Sequence, residues 1–298
     1  MCIFTVRGTR MTHNGFFSNV GNTPLVQISR QLYAKLETYN PTGSVKDRMI
    51  AYLVRRAQER EEFGENTTFI EATSGNTGIS LAAAGAALGN PVKIIMPCNM
   101  SEERKQMMRA FGAEVIEVGP SDFDGAIAER DSRMRTGLDV WSPMQFENSE
   151  NVECHCNTTG PEIHTQLDPP MNWSAFVAGA GTGGTMMGLW KYRETNKFLN
   201  FKCVLVVPEE DAQSHGIQGI NDGQDFLLKP NLMDSIMRVK TADAIERARR
   251  LAQENGLLVG ISAGANVLAA ERWIAEQRPS GAVVTILCDR GERYLSCS

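Results

Sequence analysis

Apolar positions Val45, Met49, Ile50, Leu53, Val54 and Ala57 fall at mixed three- and four-residue spacing, which predicts an amphipathic helix over 44–63. Asn40-Pro41-Thr42-Gly43 supplies the turn before it. Upstream, Gly21-Asn22-Thr23-Pro24-Leu25-Val26 reads as a turn entering a short strand, and 34–37 as another. Short apolar runs then alternate with longer periodic ones: strand 68–71, helix 76–88, strand 92–96, helix 101–111, strand 114–118 and helix 124–135. Residues 137–170, rich in Pro, Asn and Thr, read as irregular and as the place where the chain crosses between domains. The alternation resumes with strand 176–178, helix 184–195, strands 203–207 and 236–239, helix 242–255, strand 258–261, helix 263–277 and strand 283–287. Such a pattern predicts an α/β fold, with parallel sheet covered by helices on both faces. At 298 residues, two sheets with their own flanking helices fit better than one continuous sheet.

Composition narrows the partners. With 42% apolar and 22% charged residues the chain is an ordinary globular protein. Its net charge is −5 and its Lys and Arg residues are scattered, so neither nucleic acid nor an anionic membrane is expected as a partner. The most apolar stretch, 79–88, falls well short of the roughly 20 residues a membrane span needs. Arg7 and Arg10 precede no apolar core of a signal peptide, and Met11 is a second candidate start. Seven irregularly spaced cysteines in a chain of this size point to a reducing, cytoplasmic compartment. Cys154-His155-Cys156 lacks a second ligand pair at zinc-site spacing, so no metal is expected.

The candidate chemistry sits at helix starts. Lys46 falls at the mouth of the 44–63 helix, where the positive end of the dipole disfavours the ammonium and helps supply a nucleophilic amine. By itself such a lysine is most often a solvated surface group. Thr73-Ser74-Gly75-Asn76-Thr77-Gly78 joins a strand to a helix, an anion site in which N–H groups point outward and hydroxyls add donors. No lysine follows Gly78, which disfavours a nucleoside triphosphate. Gly179-Ala180-Gly181-Thr182-Gly183-Gly184-Thr185 has the same context and two readings. One is a dinucleotide loop with Glu209 as the ribose acid. The other is a cup for a terminal phosphate monoester, which the hydroxyls of Thr182 and Thr185 suit. At a third junction, Gly260-Ile261-Ser262-Ala263, Ser262 offers a neutral hydroxyl or simply a cap. An amine, an anion loop, a phosphate loop and a neutral hydroxyl together suit a phosphorylated aldehyde, pyridoxal phosphate.

Residues 40–48, 73–78, Gln145-Phe146, Thr158-Thr159-Gly160-Pro161-Glu162-Ile163, 181–185, Ser262 and Cys288-Asp289-Arg290-Gly291-Glu292-Arg293-Tyr294 resemble the cysteine synthases, the O-acetylserine sulfhydrylases. The resemblance runs in order from about Gly21 to the last residues. It implies two three-layer α/β/α domains of the type II pyridoxal phosphate fold, the tryptophan synthase β-like fold, and usually a homodimer. The implied division is a smaller, mobile domain over 40–148 and a larger one from 1–39 and 149–298. It implies that Lys46 binds the cofactor covalently and moves the α-proton, that Asn76 bonds the cofactor's ring hydroxyl, and that Gly181, Thr182, Gly183, Gly184 and Thr185 hold its phosphate. It also implies that Thr73, Ser74, Gly75, Thr77 and Gln145 hold the amino acid carboxylate and that Ser262 partners the pyridine nitrogen. A hydroxyl there makes the ring a restrained electron sink, favouring β-elimination over deeper carbanion chemistry. The implied reaction replaces the acetoxy group of O-acetylserine by a sulfur nucleophile, giving cysteine and acetate.

Several positions depart from the pattern. The link Ser29-Arg30-Gln31-Leu32 is short, and Ala263 stands where a second serine is common. Gln218-Gly219-Ile220-Asn221-Asp222-Gly223 resembles the sulfide-using branch, whereas Cys288-Asp289-Arg290-Gly291 resembles the B-type branch associated with thiosulfate, whose paired arginines are missing here. Sulfide and thiosulfate therefore both stand as donors, and O-phosphoserine stands beside O-acetylserine as first substrate. Cystathionine β-synthase and serine or threonine dehydratases share the fold and the lysine chemistry. A non-catalytic binder that keeps the fold is the alternative of another class, and intact Lys46, Asn76 and Ser262 argue against it.

Overall fold

The computed structural model describes residues 15–297 except 138, 168–171, 212–213 and 221–223. Cys2, Arg7, Arg10, Met11 and the Asn221-Asp222-Gly223 half of the Gln218 motif lie outside the described residues. By internal contacts the chain forms two compact units, one of residues 1–20 with 54–143 and one of 21–53 with 144–298. The sequence reading places the boundaries at 40 and 148 instead. The division falls within the helix that starts at Lys46, so the lysine belongs to the larger unit.

The smaller unit holds a four-stranded parallel sheet in the order β5-β4-β3-β6, from β3 (Thr68–Ala72), β4 (Val92–Pro97), β5 (Glu114–Val118) and β6 (Val140–Trp141). Strand residues alternate between its faces. Ile70, Ala72 and Ile95 pack with Ala126 of α4 (Phe123–Thr136). Ile94 faces α2 (Asn76–Leu88) and α3 (Glu102–Ala110), where a Cβ at Gly78 would lie 2.8 Å from Met108 Cε and 2.9 Å from Ile94 Cγ2. The fully buried Arg130 on α4 meets the fully buried Glu71 on β3 at 3.1 Å, which ties helix to sheet.

The larger unit is a six-stranded sheet in the order β1-β2-β10-β7-β8-β9. Only β1 (Leu25–Gln27) runs antiparallel, forming a tight hairpin with β2 (Leu32–Leu36) over the short Ser29-to-Leu32 link. The strands β7 (Trp173–Gly179), β8 (Lys202–Pro208), β9 (Ser235–Val239) and β10 (Ala282–Leu287) are parallel. Ala175, Val177, Val204 and Val206 pack toward α8 (Thr241–Asn255) and α9 (Ile261–Gln277), while Phe176, Ala178, Cys203 and Leu205 pack toward α6 (Thr159–Gln166) and α7 (Gly184–Thr195). Helices therefore cover both faces, as the alternation predicts.

Two expectations need correction. The described part of 137–170 is not irregular throughout: it contains β6, α5 (Glu150–Asn157) and α6. Each of these helices has eight residues and polar side chains on several sides, too short for a clear apolar stripe. Residues 258–261 form no strand; Val259 makes a single bridge to Arg290, and Ile261 opens α9. Among the described residues, no helix is long and apolar enough to cross a membrane.

Candidate active site

Lys46 is the first residue of α1 (Lys46–Glu59) and is half-buried. The turn before it is fixed from several directions. Asp47 accepts from Thr42 N at 2.7 Å and Thr42 Oγ1 at 2.5 Å. Val45 N donates to Cys288 O at 2.9 Å, and the Arg293 guanidinium donates to the carbonyls of Thr42 and Gly43. Gly43 has φ +83, and a Cβ there would stand 2.9 Å from Arg290 Cδ, so both backbone and space demand glycine. Two motifs far apart in sequence thus form one structure: residues 288–294 are the mould in which the Lys46 turn is set.

Behind the turn lies a buried charge network. Arg48 bonds Glu37 at 2.6 Å and 2.9 Å and Glu162 at 2.7 Å through two nitrogens, while Lys35 reaches Glu162 at 2.8 Å. Burial opposes ionisation of Glu162, but the Arg48 hydrogen bonds and charge overcome it and hold the carboxyl at about 2. Burial likewise opposes ionisation of Glu37, and Arg48 holds it below its ordinary value. Two cations and two anions share the pocket, so the network is neutral.

The Gly181–Thr185 loop joins β7 to α7. A Cβ at Gly181 would lie 2.7 Å from Gly219 O, one at Gly183 2.8 Å from Leu228 Cα, and one at Gly184 against the Asn151 amide. The backbone of this loop is accordingly packed to the limit on its protein side. Thr182 Oγ1 accepts from Asn151 Nδ2 at 3.1 Å and from Gly184 N at 3.3 Å, which leaves its own O–H to donate. Asn151 Nδ2 also reaches Gln145 O at 3.0 Å, linking the buried Gln145 to the loop. A free hydroxyl proton and N–H groups at the start of α7 fit a phosphate. Glu209, required by the dinucleotide reading, is half-exposed and faces Lys240 at 3.7 Å. Gly183, at φ +89, gives a direct check: Gly183→Ala is expected to lose about 1–3 kcal/mol in urea denaturation and to retain less cofactor.

Ser262 is buried in the first turn of α9, close to the Cys288 thiol, which accepts from Asn266 Nδ2 at 3.6 Å. Burial, with the nearby Asp289 charge, pushes that thiol up to about 12, and Lys46 opposes the shift. The hydroxyl therefore has a neutral neighbour, as befits a partner for an uncharged ring nitrogen. Asn266, one turn along α9, pins β7 and β10 by accepting from Gly179 N at 2.8 Å and donating to Ile286 O at 3.1 Å.

In the smaller unit, Thr73, Ser74, Gly75, Asn76 and Thr77 lie between β3 and the first turn of α2. Gly75 N donates to Thr73 Oγ1 at 3.1 Å, shaping the loop from within. A Cβ at Gly75 would stand 2.8 Å from Nε of the buried Arg104, so a guanidinium backs the loop. The loop's N–H groups and hydroxyls, reinforced by that cation, suit a carboxylate.

Sequence reasoning missed Asn151, His155, Arg104 and Asn266. The first two stand at i and i+4 on α5, a spacing that would have been informative had the segment been recognised as helical. The Cys154-His155-Cys156 run places both thiols in buried surroundings, and burial pushes Cys154 up to about 12.

Residues 16–289 match the family described as pyridoxal-phosphate dependent enzyme. The chain is 38% identical to a cysteine synthase of Staphylococcus aureus over 93% of its own length and 94% of that protein's. It is also 38% identical to cysteine synthase B of Salmonella typhimurium, over 95% of each chain. The crystal structure of O-acetyl serine sulfhydrylase isoform 3 from Entamoeba histolytica superposes with a TM-score of 0.86 at 34% identity, covering 99% of this chain and 93% of that one. The glycine-lined cup, its spare hydroxyl proton and the rigidly held lysine fit the cofactor that this family uses, and the chain belongs to the pyridoxal-phosphate dependent enzymes, among the cysteine synthases.

Proposed function

We propose that the chain catalyses β-replacement on O-acetylserine, exchanging acetate for a sulfur nucleophile to give cysteine. The reading rests most heavily on one observation within the larger unit. Val45, next to Lys46, donates to Cys288 O at 2.9 Å, while Asn266, one turn after Ser262 on α9, reaches Cys288 Sγ at 3.6 Å and accepts from Gly179 N, at the entrance to the Gly181–Thr185 loop, at 2.8 Å. These hydrogen bonds support a reading in which Lys46 is the amine, Ser262 the ring-nitrogen partner and Gly181–Thr185 the phosphate loop of one site.

Bound pyridoxal phosphate supplies an electron sink for the bonding electrons at the substrate's Cα. Gly181, Thr182, Gly183, Gly184 and Thr185 would hold its phosphate, Ser262 its ring nitrogen, Asn76 its ring hydroxyl and Lys46 its aldehyde carbon. The Lys46 amine takes the α-proton as acetate departs from Cβ and returns it to Cα after sulfur has added. The loop of Thr73, Ser74, Gly75 and Thr77, with Gln145, takes the substrate carboxylate and so fixes which bond at Cα is broken. The smaller unit is the mobile one in this reading, moving to exclude water while the substrate is reactive. The family resemblance further supports a homodimer working in the cytoplasm.

Stopped-flow mixing tests the proposal: O-acetylserine is added first, then sulfide or thiosulfate, with O-phosphoserine and serine plus homocysteine in parallel. Rapid spectral change with O-acetylserine and cysteine release on adding sulfide is expected. A protein that stays colourless with pyridoxal phosphate, or that turns over serine plus homocysteine but not O-acetylserine, contradicts it.

A further inference from the structure

His155 has no part in the roles above, yet both its ring nitrogens are engaged. The buried ring places Nδ1 2.8 Å from Thr159 Oγ1 and Nε2 3.2 Å from Thr185 Oγ1. Arg48 and Lys46 of α1, Glu37 after β2 and Glu162 on α6 are the charges that act on it. Burial, aided by Arg48 and Lys46 against Glu37, pushes the imidazole down to about 3, so it is neutral at physiological pH. A neutral imidazole donates from one nitrogen and accepts at the other, which leaves two possible hydrogen-bond chains.

We infer that His155 is a positioning residue for the cofactor phosphate: Nδ1 accepts from the Thr159 hydroxyl, Nε2–H donates to Thr185 Oγ1, and the Thr185 proton is thereby turned toward the phosphate. The inference rests on the pyridoxal phosphate reading. In the opposite chain Thr185 gives its proton to Nε2 and turns oxygen lone pairs toward a dianion, which is repulsive. Thr182 follows the same logic, since Asn151 and Gly184 already fill its acceptor positions. Both side-chain donors come from α5, one turn apart, so this helix sets the proton direction of both loop hydroxyls. Gly188 on α7 permits it: a Cβ there would meet the His155 Cβ and lie 2.8 Å from Val152 O, so glycine lets α7 come close enough for the imidazole to reach Thr185.

The test uses holoenzyme labelled with ¹⁵N-histidine. The His155 spectrum is expected to show a protonated Nε2 and an unprotonated Nδ1, and a protonated Nδ1 overturns the inference whatever any variant does. His155→Phe is expected to shift the ³¹P resonance of the bound cofactor and to release it roughly tenfold faster, the size of one lost hydrogen bond. His155→Gln, which offers an amide N–H near the place of Nε2, restores most of both. A His155→Phe protein with wild-type ³¹P shift and release rate also overturns it. Wild-type protein that takes up no pyridoxal phosphate at all is a different failure, visible before any variant is made, and removes the cofactor reading on which this one stands.

Discussion

Lys46→Ala protein is expected to fold normally, to lack the visible absorbance of the lysine-linked cofactor and to lose turnover by about a thousandfold. The separation of folding from chemistry follows from how the turn is held. Asp47, Arg293 and the Val45–Cys288 hydrogen bond fix the backbone on either side of position 46, and none of these contacts uses the lysine side chain. Alanine is also the best helix former, so the first position of α1 tolerates it. Urea midpoints should therefore agree with wild type to within about 0.5 kcal/mol of stability. Measured turnover close to wild type would remove Lys46 from the reaction. A large fall in stability would mean that the amine has a structural role.

Arg48→Met is expected to have the opposite profile, losing about 3–5 kcal/mol of folding stability because it strands buried carboxylates. Arg48 is 2% exposed and Glu37 is fully buried, so water cannot replace the lost guanidinium. The effect also has a pH signature. In the wild type, Glu162 titrates at about 2 when folded against an ordinary 4.5, so its pairing contributes fully above about pH 4.5 and is lost as pH falls toward 2. Removing Arg48 leaves burial as the leading influence on Glu37 and Glu162, which raises both carboxyls. The acid-unfolding transition of the variant should therefore begin at higher pH than that of the wild type. Adding Glu37→Gln should recover part of the loss, and a double variant whose loss equals the sum of the Arg48→Met and Glu37→Gln losses would show that the two side chains are not coupled. Chemical denaturation across a pH series measures all of this.

Much of the fold was legible because local chemistry and tertiary structure agree. The helix Asn76–Leu88 begins and ends where the sequence predicts, because Gly75 precedes it and Gly89, at φ +82, ends it. Lys46, Asn76, Gly184 and Ser262 all fall in first helical turns, as strand-loop-helix reading expects. The failures have physical causes too. Residues 258–261 are an apolar run too short for period to decide between strand and helix, and tertiary packing chose neither in full. Lys35, Glu37, Arg48 and Glu162 carry no local sign that they are buried together, because burial of charge depends on partners distant in the chain. The contacts of α5 with Thr182 and Thr185 were hidden because an eight-residue helix shows no clear apolar stripe.

The position of β10, inserted between β2 and β7, carries a consequence for biosynthesis. A ribosome delivers residues 40–48 long before residues 282–294, so the nascent chain holds two unpaired strand edges where the centre of the finished sheet will be. Until β10 slots in, the segment around Lys46 has neither Cys288 nor Arg293 to set it. Setting of the Lys46 turn therefore waits on the synthesis of residues 282–294, and until then those two edges are open to wrong pairing.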